Sequence, residues 1–220
     1  MTPTGLARFA SHTLRSDILG KSGELLLSGA ETLTKGPVYL LGHNPGGSPA
    51  NKRLSTVRKS IRELSKKKHN SYLDSVWPSG DTLQVRVIWL LAALGFHPRK
   101  VPASNLIFVR SKAAAGSRME TYADICWEIH EKILMIVKPG LVLVYGNSER
   151  SPYTYLRRKF DYPREQRKRA GHGEWECRSF VVPGRFRVVG LPHLSRYDIT
   201  AHPEVVHWIK DLSGVRTSTR

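Results

Sequence analysis

Apolar positions along this chain fall into two kinds of pattern: short unbroken runs and longer stretches with helical spacing. Val38-Tyr39-Leu40-Leu41 is a short run, with Lys35-Gly36-Pro37 on one side and a glycine-rich turn on the other. Such a run predicts a strand buried on both faces. Leu141 to Tyr145 repeats the pattern after Pro139-Gly140. Residues 105–109 predict another strand, and residues 180–189 predict a strand pair turning at Pro183-Gly184. Leu54, Val57, Ile61 and Leu64 recur at helical spacing behind Ser48-Pro49, which reads as a capping serine and a first-turn proline. Residues 78–81 open a strongly apolar helix that runs to Leu94 and ends at Gly95. Tyr122, Ile125, Ile129, Ile133 and Val137 form the core stripe of a helix over residues 120–137, and a last helix is predicted over 203–212. Residues 1–36 are of mixed character, and a short helix or two packed beneath the core is expected there.

Strands alternating with helices of this length predict an α/β fold: a three-layer α/β/α sandwich around a mostly parallel central sheet. The reading divides the chain into an N-terminal extension (1–36), one α/β domain (37–212) and a C-terminal tail (213–220). Ligands of such sheets bind beyond the carboxyl ends of the strands. The polar turns at residues 42–48, 146–148 and 191–196 all follow predicted strands, so they are expected to meet at one cleft.

Two of these turns carry candidate chemistry. In Gly42-His43-Asn44-Pro45-Gly46-Gly47-Ser48 the glycines permit close backbone approach and Pro45 stiffens the turn. Asn44 held there can fix a water or a ligand. Gly190-Leu191-Pro192-His193-Leu194-Ser195-Arg196 presents His193 in a similar setting. Either turn alone fits a purely structural role.

Charge narrows the choice of partner. The 220 residues hold 35 Lys and Arg against 18 Asp and Glu, a formal net charge of +17, which calls for a polyanion, DNA or RNA first. Lys52, Arg53, Arg58, Lys59, Arg62, Lys66, Lys67 and Lys68 form one basic face, opposed by Glu63. A second basic stretch lies within residues 148–176, an insertion in the domain where Tyr153, Tyr155, Phe160 and Tyr162 are interleaved with cations. Two readings fit it: cations following phosphates with rings stacking on bases, or an exposed insertion whose rings anchor it to the core. Cys126 and Cys177 are the only cysteines, too few for a zinc ribbon or an iron–sulfur cluster. His43, His97, His172, His202 and His207 show no metal-ligand pattern, and the glycine loop lacks the lysine and hydroxyl of a phosphate-binding loop. No metal or other cofactor is expected. The same cysteine usage fits a reducing cytoplasm, and no apolar run approaches a membrane span.

Gly42-His43-Asn44-Pro45-Gly46 resembles the first active-site motif of the uracil-DNA glycosylase superfamily, in its mismatch-specific and thymine-DNA glycosylase branch. Ser104-Asn105-Leu106-Ile107-Phe108-Val109-Arg110-Ser111 resembles the branch's next strand motif, and Pro192-His193-Leu194-Ser195-Arg196 the closing histidine loop. The three follow in the family's order over residues 37–212. The resemblance implies a uracil-DNA glycosylase-like fold and hydrolysis of a base–sugar bond in DNA, on a base flipped out of the duplex. It implies Asn44 and His193 as catalytic residues, with Asn44 orienting water and His193 donating to the base carbonyl. Gly42, His43, Pro45, Gly46, Gly47, Asn105, Phe108 and Asn147 would line the base pocket, with Asn105 reading the base edge. Ser48, Arg53, Lys59, Arg110, Arg157, Arg158, Lys159, Leu194, Ser195, Arg196 and Tyr197 would contact DNA, with Leu194 or Tyr197 as a wedge filling the vacated space.

The chain departs from the uracil-specific branch in two places. Asn44 replaces an aspartate, and Gly46-Gly47 stand where a tyrosine bars bulky bases. A larger, modified pyrimidine, such as those that some superfamily members remove from phage DNA in defence, would fit. No lysine lies in the turns that carry Asn44 and His193, so strand cleavage through a Schiff base is not expected. The expected protein is a monomer that binds DNA and no membrane. The competing expectation is a noncatalytic DNA- or RNA-binding module on the same fold.

Overall fold

The computed structural model describes residues 1–47, 55–74, 82–111 and 118–214; the side chains of Arg118 and Met119 are also left aside. The described elements run α1 (Pro3–Thr13), α2 (Ser16–Leu19), β1 (Val38–Gly42), α3 (Val57–Arg62), α4 (Thr82–Ala93), β2 (Ala103–Asn105) and α5 (Arg118–Val137). They continue with β3 (Leu141–Tyr145), α6 (Pro152–Lys159), β4 (Gln166–Arg169), β5 (Glu176–Val182), β6 (Phe186–Leu191) and α7 (Pro203–Ser213).

The strands form one six-stranded sheet in the order β2-β1-β3-β6-β5-β4. β2, β1, β3 and β6 are parallel, while β5 and β4 are antiparallel additions at one edge. The fold is therefore α/β with a mostly parallel, mixed sheet. Tyr39, Leu41, Val142 and Val144 belong to one apolar cluster, and Val38, Leu40, Leu141 and Leu143 to a second. Because strand side chains alternate between faces, both faces of the sheet are covered. The first cluster includes Leu6, Ala10 and Leu14 beside α5, so residues of the N-terminal extension contribute to the main core.

β1, β3 and the strand pair β5–β6 lie where the apolar runs predict, as do α5 and α7. The helix expected from Ser48 is different. Val57 and Ile61 are buried as foreseen, but their helix begins at Val57 and is capped by Thr56, whose hydroxyl accepts from the Lys59 amide. Ser48, Pro49 and Leu54 lie outside the described residues, as does the opening of α4 at 78–81. The predicted strand over 105–109 is also displaced: β2 is Ala103–Asn105. Leu106 and Ile107 donate instead to the Gly42 and His43 carbonyls, and the Phe108 carbonyl accepts from the Glu24 amide. An apolar run reports burial, and here burial comes from packing under the β1 turn rather than from a ladder.

The 148–176 insertion is built into the fold. Tyr153, Tyr155 and Phe160 pack into the core behind α6, and Tyr162 stacks on Phe180 at 6.0 Å. The anchoring reading holds for all four rings, because each side chain's apolar surface is taken up by the sheet and α5. Cys126 and Cys177 are both buried and free. Among the described residues no helix is long and apolar enough to cross a membrane, and no three His, Cys, Asp or Glu side chains group as a metal site.

Candidate functional site

Strand register brings the motifs together. Gly42 pairs with Asn105, Leu41 with Val144 and Tyr145 with Leu191, so the four parallel strands end nearly level. The residues that follow these ends form one cluster. A Cβ on Gly42 would collide with Asn105 Oδ1 and the Tyr145 hydroxyl, so Gly42 is needed for close approach rather than for a special turn. The Tyr145 and His193 rings meet edge to face at 5.5 Å. Tyr145 also shares a hydroxyl–hydroxyl bond of 2.7 Å with Tyr72. If the cluster is catalytic, Gly42→Ala is expected to lower activity roughly ten- to a hundred-fold by displacing both partners, an effect of the size that small misplacements of reacting groups produce; assay of the variant with a matched melting curve checks this.

Asn44 is held from one side. Its Nδ2 donates to the Pro45 carbonyl at 3.0 Å and to Ser111 O and Oγ at 3.2 and 3.0 Å. Both amide hydrogens are thus directed into the protein, while Oδ1 has no partner among the described residues. A planar amide pinned this way has a fixed acceptor lone pair. Asn105 is only 3 % exposed, yet no described residue hydrogen-bonds its side chain. Its Oδ1 lies beside Gly42 and the Tyr145 hydroxyl, where an amide offers both a donor and an acceptor to a ligand edge.

His193 is oriented by its own turn. Ser195 N–H donates to Nδ1 at 3.3 Å, and Ser195 Oγ lies 2.7 Å from the same atom. A backbone amide can only donate, so Nδ1 accepts and the neutral ring carries its proton on Nε2. Arg86 on α4 secures this turn, donating to the Leu194 carbonyl at 2.8 Å and pairing with Asp198 at 3.3 Å. His43 sits beside His193. Burial, then the neighbouring imidazole, pulls the pKa of His43 down from 6.5 to about 4, so that it is neutral at pH 7.

Other expected site residues are placed differently. Phe108 is fully buried and packs against His130 at 5.0 Å, so it cannot line a base pocket. Leu194 and Tyr197 are also fully buried, and Tyr197 donates to the Ala170 carbonyl. Neither side chain can act as a wedge here, because the turn needs both as its apolar anchors; Ser195 and Arg196 are the exposed residues between them. Asn147 is a brace: its Nδ2 donates to the Gly190 carbonyl at 3.2 Å and to that of Glu176, tying the β3–α6 loop to β5 and β6. Arg110 lies beneath the first turn and donates to the Gly46 carbonyl, with its charge disfavoured by burial. Pro45 is buried, and Gly46 and Gly47 are exposed, with Gly47 at φ +93°. Ser48 and Arg53 fall outside the described residues.

The cations expected on DNA are largely engaged by acids. Arg157 pairs with Glu165 at 2.9 Å, Arg158 with Glu120 at 3.0 Å, Lys159 with Asp124 at 3.5 Å and Lys59 with Glu63 at 3.9 Å. The last three pairs are exposed on both sides, so they are weak and can open to a phosphate, whereas the Glu165 carboxylate is buried. Tyr72 and Ser111 are site residues that sequence reasoning passed over. Ser111 was legible only as the end of a motif, and Tyr72 carries no local signal at all. No model of a known protein family matches the chain, and no curated protein matches it either.

Proposed function

We propose that the protein is a monofunctional DNA glycosylase with a uracil-DNA glycosylase-like fold. It hydrolyses the base–sugar bond of a flipped-out uracil or modified pyrimidine and leaves an abasic site. The observation that carries this reading is the convergence of a pinned Asn44, a buried Asn105 and an oriented His193 beyond one end of the parallel strands.

The chemistry follows from the groups present. Departure of the base leaves an oxocarbenium-like sugar, electrophilic enough that water needs orientation more than deprotonation. Asn44 Oδ1 accepts a hydrogen bond from that water and points its oxygen at C1′. The C1′–N bond breaks with its electron pair going to the base, while the water adds to C1′ and loses a proton to solvent, from which the base anion is neutralised after it leaves. Negative charge collects on the base carbonyl oxygen, where His193 Nε2–H donates to it. Asn105 offers both donor and acceptor to the base edge. A Cβ at Gly46 would meet nothing within 4 Å, in keeping with room for a substituent on the base.

Mass spectrometry of the free bases released from DNA carrying uracil, mismatches, or plain and glycosylated hydroxymethylcytosine tests the reading. One released base is expected. Tight binding with no release from any of these DNAs would instead leave a noncatalytic binding module. Phosphate contact has its own signature. Arg196→Ala is expected to reduce the slope of log affinity against log salt by about one, whereas Arg158→Ala, already paired with Glu120, should reduce it by less. Equal slopes for both variants and the parent protein would remove Arg196 from the interface.

A further inference from the structure

The antiparallel edge of the sheet has a consequence for the reaction end of the molecule. β6 ends there at Leu191, and β5 runs against it with Arg178 opposite Gly190. β4 runs against β5 with Arg169 opposite Glu176. The turn joining β4 to β5, residues 170–175, therefore projects at the same end as Asn44 and His193. Its contacts agree with this placement. Tyr197, four residues after His193, donates to the Ala170 carbonyl, and Asn147 after β3 donates to the Glu176 carbonyl.

The turn displays a tryptophan. Trp175 is 38 % exposed, and it is the one aromatic side chain among the exposed large hydrophobic residues described. It is also rigidly mounted. The Ala170 amide donates to the Trp175 carbonyl at 2.8 Å, and the Trp175 amide to the His172 carbonyl at 3.1 Å. Gly171 and Gly173 take the left-handed backbone angles (φ +76° and +52°) that close so tight a turn. The His172 ring lies 4.6 Å from the indole and the Tyr197 ring 6.5 Å away, leaving the remaining surface to solvent. Nothing in the packing of the core requires an exposed indole here. Exposed Arg169, at the end of β4, pairs with Glu174 of the same turn.

We propose that the β4–β5 turn is a second nucleic-acid contact, in which Trp175 stacks on an unpaired base next to the cleft. This inference rests on the reading of the protein as one that acts on DNA. A base that leaves the duplex creates unstacked neighbours, and an indole face accepts any of them without sequence preference. A preformed ring contributes this stacking without the cost of ordering a loop.

The test compares Trp175→Ala and Trp175→Phe in an Asn44→Ala background, in which turnover is too slow to disturb a binding measurement. Fluorescence anisotropy measures affinity for a mixed-sequence single strand and for a strand of equal length made of abasic residues. The two strands carry the same charge, and only the first has bases to stack on. Trp175→Ala is expected to weaken binding to the base-bearing strand roughly 5- to 150-fold, the range for loss of one stacked base, and to change abasic binding by no more than about twofold. Trp175→Phe should retain most of the affinity, which also controls for folding of the turn. Unchanged affinity for the base-bearing strand, or an equal loss on both strands, would overturn the proposal. Base release by the protein with Asn44 intact is scored separately, so failure of the glycosylase reading is distinguishable from failure of the stacking contact.

Discussion

Asn44→Ala and His193→Ala proteins are expected to release free base roughly 10²- to 10³-fold more slowly than the parent chain, the usual cost of losing one preorganised polar contact in a transition state. DNA affinity should be nearly unchanged in both, because neither side chain adds charge that reaches phosphate. The reasoning differs for the two. In the proposed reaction Asn44 acts on the water through Oδ1, whose direction is set by the Nδ2 bonds to Ser111 and the Pro45 carbonyl. Asn44→Asp is therefore informative: the aspartate keeps the acceptor but loses both donors, so the pinning is lost with the side chain nearly isosteric. His193 is proposed to act on the departing base, and its tautomer is set by Ser195. Single-turnover measurement of base release, with binding followed separately, checks both. Equal rates for parent and Asn44→Ala proteins would remove Asn44 from the chemistry, whatever the substrate proves to be.

The second large effect concerns stability in acid. His130 is fully buried, with Nε2 3.1 Å from the Leu106 carbonyl, Nδ1 2.8 Å from the Tyr39 hydroxyl, and the rings of Phe108 and Trp127 at 5.0 and 5.7 Å. The Nε2–H donates to the carbonyl, so Nδ1 accepts from Tyr39. This arrangement has no place for a second proton. Burial pulls the pKa of His130 down from 6.5 to about 4, although the Leu106 and Asn105 carbonyls oppose the shift. The unfolded chain thus takes up a proton as pH falls through 6.5, and the folded chain only near 4. The stability that this histidine contributes is fully present above 6.5 and is lost progressively down to about pH 4, to the extent of roughly 3 kcal/mol. Half-buried His43 adds to the loss in the same direction and over the same window. Urea midpoints measured between pH 7 and 4 should fall, and His130→Gln, weaker at pH 7, should show a shallower pH slope. A midpoint independent of pH across that window would contradict the account.

His130 also shows where sequence reading stops. It lies on α5 between Ile129 and Glu131, and nothing local distinguishes a core histidine with two partners from a surface one. Its partners come from β1 and from the segment after β2, 91 and 24 residues away. Phe108 is a related case. It sits inside a motif that carries site residues, but the backbone after Asn105 leaves the ladder to bond Gly42 and His43, and this turns the ring into the core. Leu194 and Tyr197 are buried beside an exposed Ser195 and Arg196 because the chain turns tightly there, so positions three apart face the core and the two between them face out.

What the residues alone could specify was local. Runs of apolar residues between glycine and proline punctuation marked β1, β3 and the β5–β6 pair, since burial on both faces of a sheet leaves an unbroken hydrophobic stretch. The stripe on α5 and the turns carrying Asn44 and His193 were equally legible, because helix periodicity and turn chemistry act within a few residues. Tertiary packing governed everything that depends on distant partners: the Ser111 bonds that pin Asn44, the Tyr72–Tyr145 pair and the acids that engage the basic stretch. It also placed the β4–β5 turn at the end that carries Asn44 and His193, through the antiparallel pairing of β5 with β6 and of β4 with β5. Such contacts arise only when residues far apart in the chain are brought together by burial of the two apolar faces, and no short-range pattern encodes them.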